Sequence, residues 1–155
     1  MIDDNYSVAS LVSKGDVIFA EGDTVEEIFV SALNKADLPD GITAASLVEE
    51  LMAREKVLST AVGNGIAIPH PRRPLVASND ECRVIVVYAS SPIDMQAPDF
   101  RKVYAMFILL SDSSQFHIKA LSSLAKIFKN EEFRKGLMMK PAKAQLVDMV
   151  KKCEE

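Results

Sequence analysis

Two short runs rich in β-branched and aromatic residues constrain the fold more than any other feature of the chain. RVIVVYA occupies residues 83–89 and VYAMFILL occupies residues 103–110. Each run has the length and composition of a buried strand. The second, the longest uninterrupted apolar run, is far below the roughly 20 residues that a membrane-spanning helix needs. The sequence therefore predicts two buried strands, joined by the proline-punctuated connection SPIDMQAPDF.

Helical spacing of apolar residues is found ahead of these strands. Residues 24–36 predict one helix, in which Thr24 and Glu27 match the capping-box pattern. A second helix is predicted from Thr43 to Arg54, opened by a hydrophobic staple between Ile42 and Leu47. Arg54 would then lie near the C-terminal end of that helix.

Three further helices are predicted after the strands. The first begins near Ser113 or Ser114 and places His117 in its first turn. The other two are shorter, one capped by Asn130 and one opened by Pro141. Because helices and buried strands interleave along the chain, we expect an α/β sandwich, formed as one domain by residues 1–155.

Charge and cysteine usage argue against several classes of function. The 155 residues carry a formal net charge of −4 and no stripe of Lys and Arg, so nucleic acid is not an expected partner. Cys82 and Cys153 are far apart and form no CxxC motif, which argues against a zinc site or a disulfide framework. The polar N-terminal stretch MIDDNYSVAS does not resemble a signal peptide. We therefore expect a cytoplasmic protein without membrane insertion.

The stretch GNGIAIPHPRRP, residues 63–74, holds one of the two histidines. Gly63 and Gly65 permit a tight turn or a positive φ, and residues 66–68 predict a short buried strand that the next proline ends. Prolines on both sides restrict the backbone of His70 and present its imidazole rigidly. A neutral imidazole is a good nucleophile near pH 7, and arginine suits a phosphoryl group. These features leave His70 as either a nucleophile or a hydrogen-bonded loop residue.

The second histidine, His117, also has two interpretations. Near a helix N-terminus the charged imidazolium is disfavoured, so a neutral His117 could donate a hydrogen bond to an anion; it could equally be an ordinary polar residue of the first turn. Arg72 and Arg73 fit a solvated turn as well as a phosphate-binding pair, and the glycines match neither a Walker loop nor a dinucleotide fingerprint. Sequence spacing does not bring His117 close to His70.

Three segments of the chain together resemble a known family. MAREKVLSTAVGNGIAIPHPR resembles the active-site segment of the fructose/mannitol-type enzyme IIA domains of the bacterial phosphotransferase system, including the nitrogen-regulatory branch. IDMQAPDFRKVYAMFILLS resembles that family's connection and following strand, and FHIKALSSLAKIFKNEEF resembles its second-histidine helix. The resemblance covers nearly the whole chain, from about Ser10 to the final helix.

This resemblance implies a fold, a site and partners. The implied fold is a mixed β-sheet flanked by helices. In the implied site His70 is the phosphorylated nucleophile, His117 packs beside it, and Arg54 helps to neutralise the phosphoryl group. The implied donor is phospho-HPr or its nitrogen-branch counterpart, and the acceptor or partner is a sugar-specific IIB domain or a regulatory target protein. The implied reversible phosphoryl transfer requires no metal or organic cofactor.

The chain departs from the family pattern at two positions. Pro71 stands where glycine commonly follows the active histidine and begins the charged turn PRRP, and Phe100 stands where glycine often follows PD. Both departures are expected to change the surface that a partner would touch. Three functions stay open: a carrier to a IIB domain, a regulator whose phosphorylation state selects its partner, and a binding module that has lost phosphotransfer. The absence of a fused IIB domain favours the regulator.

Overall fold

The computed structural model describes residues 7–155, so most of the stretch MIDDNYSVAS lies outside the described residues. In chain order its elements are α1 (Val8–Lys14), β1 (Val17–Ala20), α2 (Val25–Leu33), α3 (Ala44–Glu55), β2 (Ala61–Gly63), β3 (Ile66–Ala67), β4 (Arg83–Ile93), β5 (Val103–Leu110), α4 (Ser114–Phe128), α5 (Glu131–Leu137) and α6 (Lys143–Glu154). None of the helices formed by these residues has the length and apolar character needed to cross a membrane.

The five strands form one mixed sheet, which confirms the predicted fold class. The strand order is β1-β4-β5-β3-β2. β1 runs parallel to β4 and β3 runs parallel to β5, whereas the β4–β5 and β2–β3 pairs are antiparallel. The two strands predicted from their apolar runs, β4 and β5, therefore lie next to each other at the centre.

Burial of the two central strands shows that helices cover both faces of the sheet. Residues 84–89 of β4 and 105–110 of β5 are buried without interruption. Consecutive side chains of a strand point to opposite faces, so continuous burial requires cover on each side. One group of helices, α1, α4 and α6, packs together and against β4 and β5; α2 packs on β1, β4 and α3.

Local capping chemistry explains where four of the helices begin. The side chains of Thr24, Thr43, Ser113 and Asn130 each accept a hydrogen bond from the amide three residues on. The start predicted near Ser113 is confirmed. At α2 only one of the two bonds of the predicted capping box is present: the Thr24 side chain accepts from the Glu27 amide, but the Glu27 side chain does not accept from the Thr24 amide. A capping box with both bonds forms at α3, between Thr43 and Ser46.

Several element boundaries differ from the sequence-based expectation. α2 ends at Leu33, three residues before the predicted end, and α6 begins at Lys143, two residues after Pro141. β4 continues to Ile93 and so takes up the first part of the predicted connection. The elements α1, β1 and β2 were not predicted, because runs of three to seven residues carry too little periodicity to be recognised.

A carboxylate on the last helix binds the beginning of the first helix. Glu154 of α6 accepts hydrogen bonds from the amides of Val8 and Ala9, at 2.8 and 3.0 Å. These amides open α1 and have no partner within that helix. The negative charge also opposes the positive end of the α1 dipole. Glu154 therefore helps to hold α1 in the core, where Val8 and Ala9 are buried.

The turn between β2 and β3 requires the left-handed backbone region. Gly63, Asn64 and Gly65 have φ angles of 99°, 57° and 81°. A Cβ atom on Gly65 would lie 2.6 Å from a ring carbon of Tyr104, so this position has no room for a side chain. The Asp99 carboxylate accepts a hydrogen bond from the Asn64 amide at 2.7 Å, and backbone donors of this kind lower the pKa of Asp99. The turn fixes the direction in which β3 runs toward His70.

Candidate functional site

His70 lies just beyond the end of β3, as its flanking prolines predict. The Leu109 amide donates to the Pro69 carbonyl at 2.9 Å, which extends the pairing with β5 by one bond before the chain leaves the sheet. The Nδ1 atom of His70 is 2.8 Å from the Ile68 carbonyl oxygen. A carbonyl oxygen can only accept, so Nδ1 carries the proton in the neutral ring. The lone pair is therefore on Nε2.

The structure brings His117 against His70. Because β3 and β5 are parallel, their C-terminal ends lie at the same edge of the sheet, and α4 begins directly after β5. The centroids of the two imidazole rings are 4.5 Å apart and the ring planes make an angle of 58°. The backbone of His117 is held by a hydrogen bond from its amide to the Ser113 carbonyl at 3.0 Å. The two histidines of the chain thus form one imidazole pair.

Arg54 is the charged group beside this pair. It lies in the last turn of α3, where its Nη1 atom donates to the Leu58 carbonyl at 2.6 Å. Its positive charge lowers the pKa of both His70 and His117, so it lies within electrostatic reach of both rings. The guanidinium has further N–H groups with which to contact an anion. The three residues singled out from the sequence are therefore gathered in one place.

Burial keeps the imidazole pair neutral near pH 7. Burial is the main cause of the lowered pKa of His70; the hydrogen bond to Ile68 and the charge of Glu55 oppose that effect, and Arg54 adds to it. For His117, burial, His70 and Arg54 together lower the pKa to about 4. Neutral His70 offers a lone pair, and neutral His117 offers one N–H donor.

Sequence reasoning missed the part played by Glu55. Its carboxylate accepts two hydrogen bonds from Thr60, from the amide at 2.8 Å and from the hydroxyl at 2.6 Å. These bonds link the end of α3 to the entry of β2 and close the loop whose Leu58 carbonyl holds Arg54. Its position directly after Arg54 is the only signal in the sequence that could have suggested it.

The charged PRRP turn follows His70 directly in the chain and lies beside His117. Arg73 pairs with Glu50 at 3.3 Å, and both Arg72 and Arg73 are exposed. The turn is held to the end of β5, where the Ser111 carbonyl accepts bonds from the amides of residues 75 and 76. Phe100 precedes the start of β5 and so lies at the opposite end of that strand from His117. Of the two departures from the family pattern, only the turn borders the imidazole pair.

Residues 7–155 contain no recognisable metal site. Within that range no group of three His, Cys, Asp or Glu side chains is placed to hold a metal ion. Cys82 and Cys153 are free thiols. Burial and the neighbouring Asp112 raise the pKa of Cys82 to about 12, so this thiol is protonated at neutral pH.

The fold is that of the IIA class of phosphotransferase-system domains. The profile described as "Phosphoenolpyruvate-dependent sugar phosphotransferase system, EIIA 2" matches residues 10–153. The chain belongs to this family.

Individual relatives agree with the family assignment. A nitrogen regulatory protein of Pseudomonas aeruginosa is 32% identical over 123 residues, which are 78% of this chain and 77% of the relative. The crystal structure of the nitrogen regulatory protein IIA-Ntr of Neisseria meningitidis has a TM-score of 0.77 at 28% identity, covering 92% of this chain and 98% of the other. Enzyme IIA mannitol of Escherichia coli, in its complex with phosphorylated IIB mannitol, shares the fold with a TM-score of 0.64 at 19% identity, covering 86% and 92%.

Proposed function

We propose that this chain is a IIA phosphocarrier that accepts a phosphoryl group on the Nε2 atom of His70. The donor is a phosphohistidine carrier, HPr or its nitrogen-branch counterpart. The observation that carries the proposal is the orientation of His70, whose Nδ1 proton is committed to the Ile68 carbonyl at 2.8 Å while Nε2 keeps its lone pair beside His117. A buried, fixed and neutral imidazole is suited to nucleophilic attack near pH 7.

The transfer step is balanced without a base or a further reactant. The Nε2 lone pair of His70 attacks phosphorus, and the phosphorus–nitrogen bond to the donor imidazole breaks with its electron pair returning to the donor ring. Nδ1 of His70 keeps its proton throughout. The ring that receives the phosphoryl group gains positive charge, which the Ile68 carbonyl stabilises through the existing hydrogen bond.

Arg54 and His117 would then stabilise the negative charge on the phosphoryl oxygens. The guanidinium of Arg54 supplies positive charge from a fixed position, because its Nη1 atom is already held by Leu58. His117, neutral at pH 7, donates one hydrogen bond without carrying a charge that would have to be desolvated. In these roles both residues stabilise charge and neither is covalently modified.

The surroundings of the imidazole pair suit a protein partner. The large apolar side chains of Val57, Leu58 and Ile118 are exposed on the two segments that carry Arg54 and His117. Exposed apolar groups at a charged centre are typical of a docking surface. A protein phosphocarrier would cover them while its own histidine meets His70. This favours transfer between proteins over transfer to a small molecule.

A regulatory output is the more specific part of the proposal. The relatives from Pseudomonas aeruginosa and Neisseria meningitidis both bear the name nitrogen regulatory protein. We therefore propose that one cytoplasmic domain, residues 1–155, changes its protein partner with its phosphorylation state. The E. coli mannitol IIA of the same fold was solved with phosphorylated IIB, so onward transfer to a IIB domain is the alternative that the experiment must separate.

Phosphorylation in a reconstituted system tests this function. The protein is mixed with enzyme I, phosphoenolpyruvate and either HPr or the nitrogen-branch carrier, and its intact mass is read before and after acid treatment. We expect one acid-labile phosphoryl group that is absent from His70→Ala, a loop variant that keeps its far-UV circular dichroism. Labelling that persists in His70→Ala would show that the site is elsewhere.

Two further outcomes divide the candidate functions. If added IIB domain removes the label onto its cysteine, the chain is a sugar-type carrier; a label that stays on His70 in the presence of IIB domains supports the regulator. An unlabelled protein with both carriers would contradict the proposal and indicate a binding module that keeps the fold alone.

A further inference from the structure

Thr60 is a buried polar residue that is bonded to two different parts of the candidate site. It is 6% exposed and directly precedes β2. Its amide and its hydroxyl both donate to the Glu55 carboxylate, at 2.8 and 2.6 Å. Its carbonyl accepts a hydrogen bond from the Ile68 amide at 3.0 Å. Thr60 therefore links the end of α3 to the segment that leads from β3 to His70.

The bond between Thr60 and Ile68 lies outside the regular pairing of β2 with β3. The last paired residues on this side are Ala61 and Ala67, so no further pairing beyond the bond fixes its geometry. The carbonyl of the same Ile68 accepts the Nδ1 proton of His70 at 2.8 Å. Both groups belong to one backbone residue. A displacement of Thr60 therefore moves the acceptor on which the orientation of His70 depends.

On its other side, Thr60 determines where the Glu55 carboxylate lies. Glu55 follows Arg54 in the chain, and the charges of both residues act on the His70 ring. Arg54 takes part in none of the ion pairs formed by residues 7–155. The neighbouring carboxylate instead accepts the two bonds from Thr60, and hydrogen bonds to an ionised group are strong. The guanidinium is thus left to contact a phosphoryl group.

We propose that Thr60 is a positioning residue for phosphoryl transfer. Through Glu55 it fixes the end of α3 that carries Arg54. Through Ile68 it fixes the acceptor of the His70 proton. The inference rests on the proposed function, because the step it concerns is transfer to Nε2 of His70. A nucleophile misplaced by about 1 Å can react about a hundredfold more slowly, so a hydroxyl outside the imidazole pair can still control the rate.

The isosteric variant Thr60→Val tests this role, because it removes the hydroxyl and leaves every charge in place. Single-turnover phosphorylation by phospho-HPr, or by the phosphorylated nitrogen-branch carrier, is measured by rapid quench over a range of donor concentrations. We expect the maximal rate to fall about tenfold. The donor concentration at half-maximal rate should change little, since the exposed docking surface is unaltered. Thr60→Ser keeps the hydroxyl and should keep the wild-type rate.

The tautomer of His70 gives a readout that does not require phosphoryl transfer. Long-range proton–nitrogen NMR spectra of the unphosphorylated protein report which ring nitrogen carries the proton. In the wild type and in Thr60→Ser, Nδ1 should be protonated. In Thr60→Val the tautomer with the proton on Nε2 should gain population, because the Ile68 carbonyl is held less firmly. A residue that only stabilised the fold would not change this ratio.

Two further variants separate positioning from loop stability. Ser59→Ala is the matched control, because the Ser59 hydroxyl lies in the same loop but bonds to Met95 and Ala61 rather than to Glu55. It should keep the wild-type rate and tautomer, even where its free energy of unfolding is lower. Glu55→Ala removes the acceptor of the Thr60 hydroxyl. In that background Thr60→Val should add almost no further loss of rate, since the two residues act together.

Each outcome decides the proposal. A wild-type rate and tautomer in Thr60→Val would overturn it, as would losses of rate that add in the double variant. Equal losses in Ser59→Ala would overturn it by showing that loop stability is the cause. Folding is checked by urea denaturation, and Glu55→Ala, which should shift the tautomer alone, carries the test if Thr60→Val is unfolded. If the wild type accepts no phosphoryl group, the proposed function fails, and the tautomer ratios alone decide whether Thr60 orients His70.

Discussion

Replacing His117 with glutamine should make the protein less sensitive to acid. The imidazole has a pKa of about 4 in the folded protein, against 6.5 for an ordinary histidine. Between these values the unfolded chain binds a proton at this residue and the folded chain does not. Stability from the neutral imidazole is therefore complete above about pH 6.5 and is lost as the pH falls toward 4.

The size of the effect follows from the two pKa values. At pH 5 the unfolded histidine is almost fully protonated and the folded one is about nine-tenths neutral. Proton linkage then favours the unfolded state by about 2 kcal/mol relative to pH 7. This is a large fraction of the roughly 5–15 kcal/mol by which a domain is stable. Glutamine has no titrating group, so His117→Gln removes this contribution and leaves those of His70 and the carboxylates.

Urea unfolding at pH 7 and pH 5 measures the difference. The free energy of unfolding of the wild type should fall by about 2 kcal/mol more than that of His117→Gln over this interval, with unchanged m values. An NMR titration of the imidazole resonances gives the pKa of His117 directly. Equal losses in the two proteins, or a measured pKa near 6.5, would refute burial as the cause of the shift.

Three further predictions concern the site and its frame. Arg54→Ala should slow phosphoryl transfer by roughly ten- to a hundredfold without preventing it, as measured by rapid-quench labelling; an unchanged rate would remove Arg54 from the site. Gly65→Ala should lower the free energy of unfolding by about 2–4 kcal/mol, through backbone strain and steric overlap of the new methyl group with Tyr104. Gly41 also has a positive φ of +82° but has open space around it, so Gly41→Ala should cost only the backbone strain of about 1 kcal/mol. Equal losses in the two variants would contradict the steric overlap at Gly65. Glu154→Ala should lower the free energy of unfolding by about 1–2 kcal/mol, because it removes the acceptor of two amide hydrogen bonds. The control Glu155→Ala should leave the free energy of unfolding almost unchanged. Similar losses in the two variants would show that the Glu154 bonds contribute nothing.

Elements with long or strongly patterned sequences were predictable. The runs of β4 and β5, and the caps at Thr43, Ser113 and Asn130, were all recognisable because strand composition and capping are local properties. Strand β2 has three residues and becomes a strand only by pairing with β3. Its sequence has no periodicity from which that pairing could be predicted.

In the candidate site, too, some features follow from neighbouring residues and others depend on residues that are distant in sequence. The rigid presentation of His70 follows from its prolines, and the position of His117 in the first turn of a helix follows from Ser113. Their separation of 4.5 Å between ring centroids depends on β3 running parallel to β5. Parallel pairing joins segments that are distant in sequence, and a pattern within one segment does not specify it.

The sequence by itself determined the fold class, the capped helices, the restrained backbone of His70 and, through its motifs, the family. Only the tertiary structure decided which ring nitrogen of His70 keeps its proton, how far burial lowers the pKa of His117, and that the two imidazole rings lie against each other. Backbone preference and capping act over a few neighbouring residues, whereas protonation and burial depend on groups that the folded chain brings together from different elements.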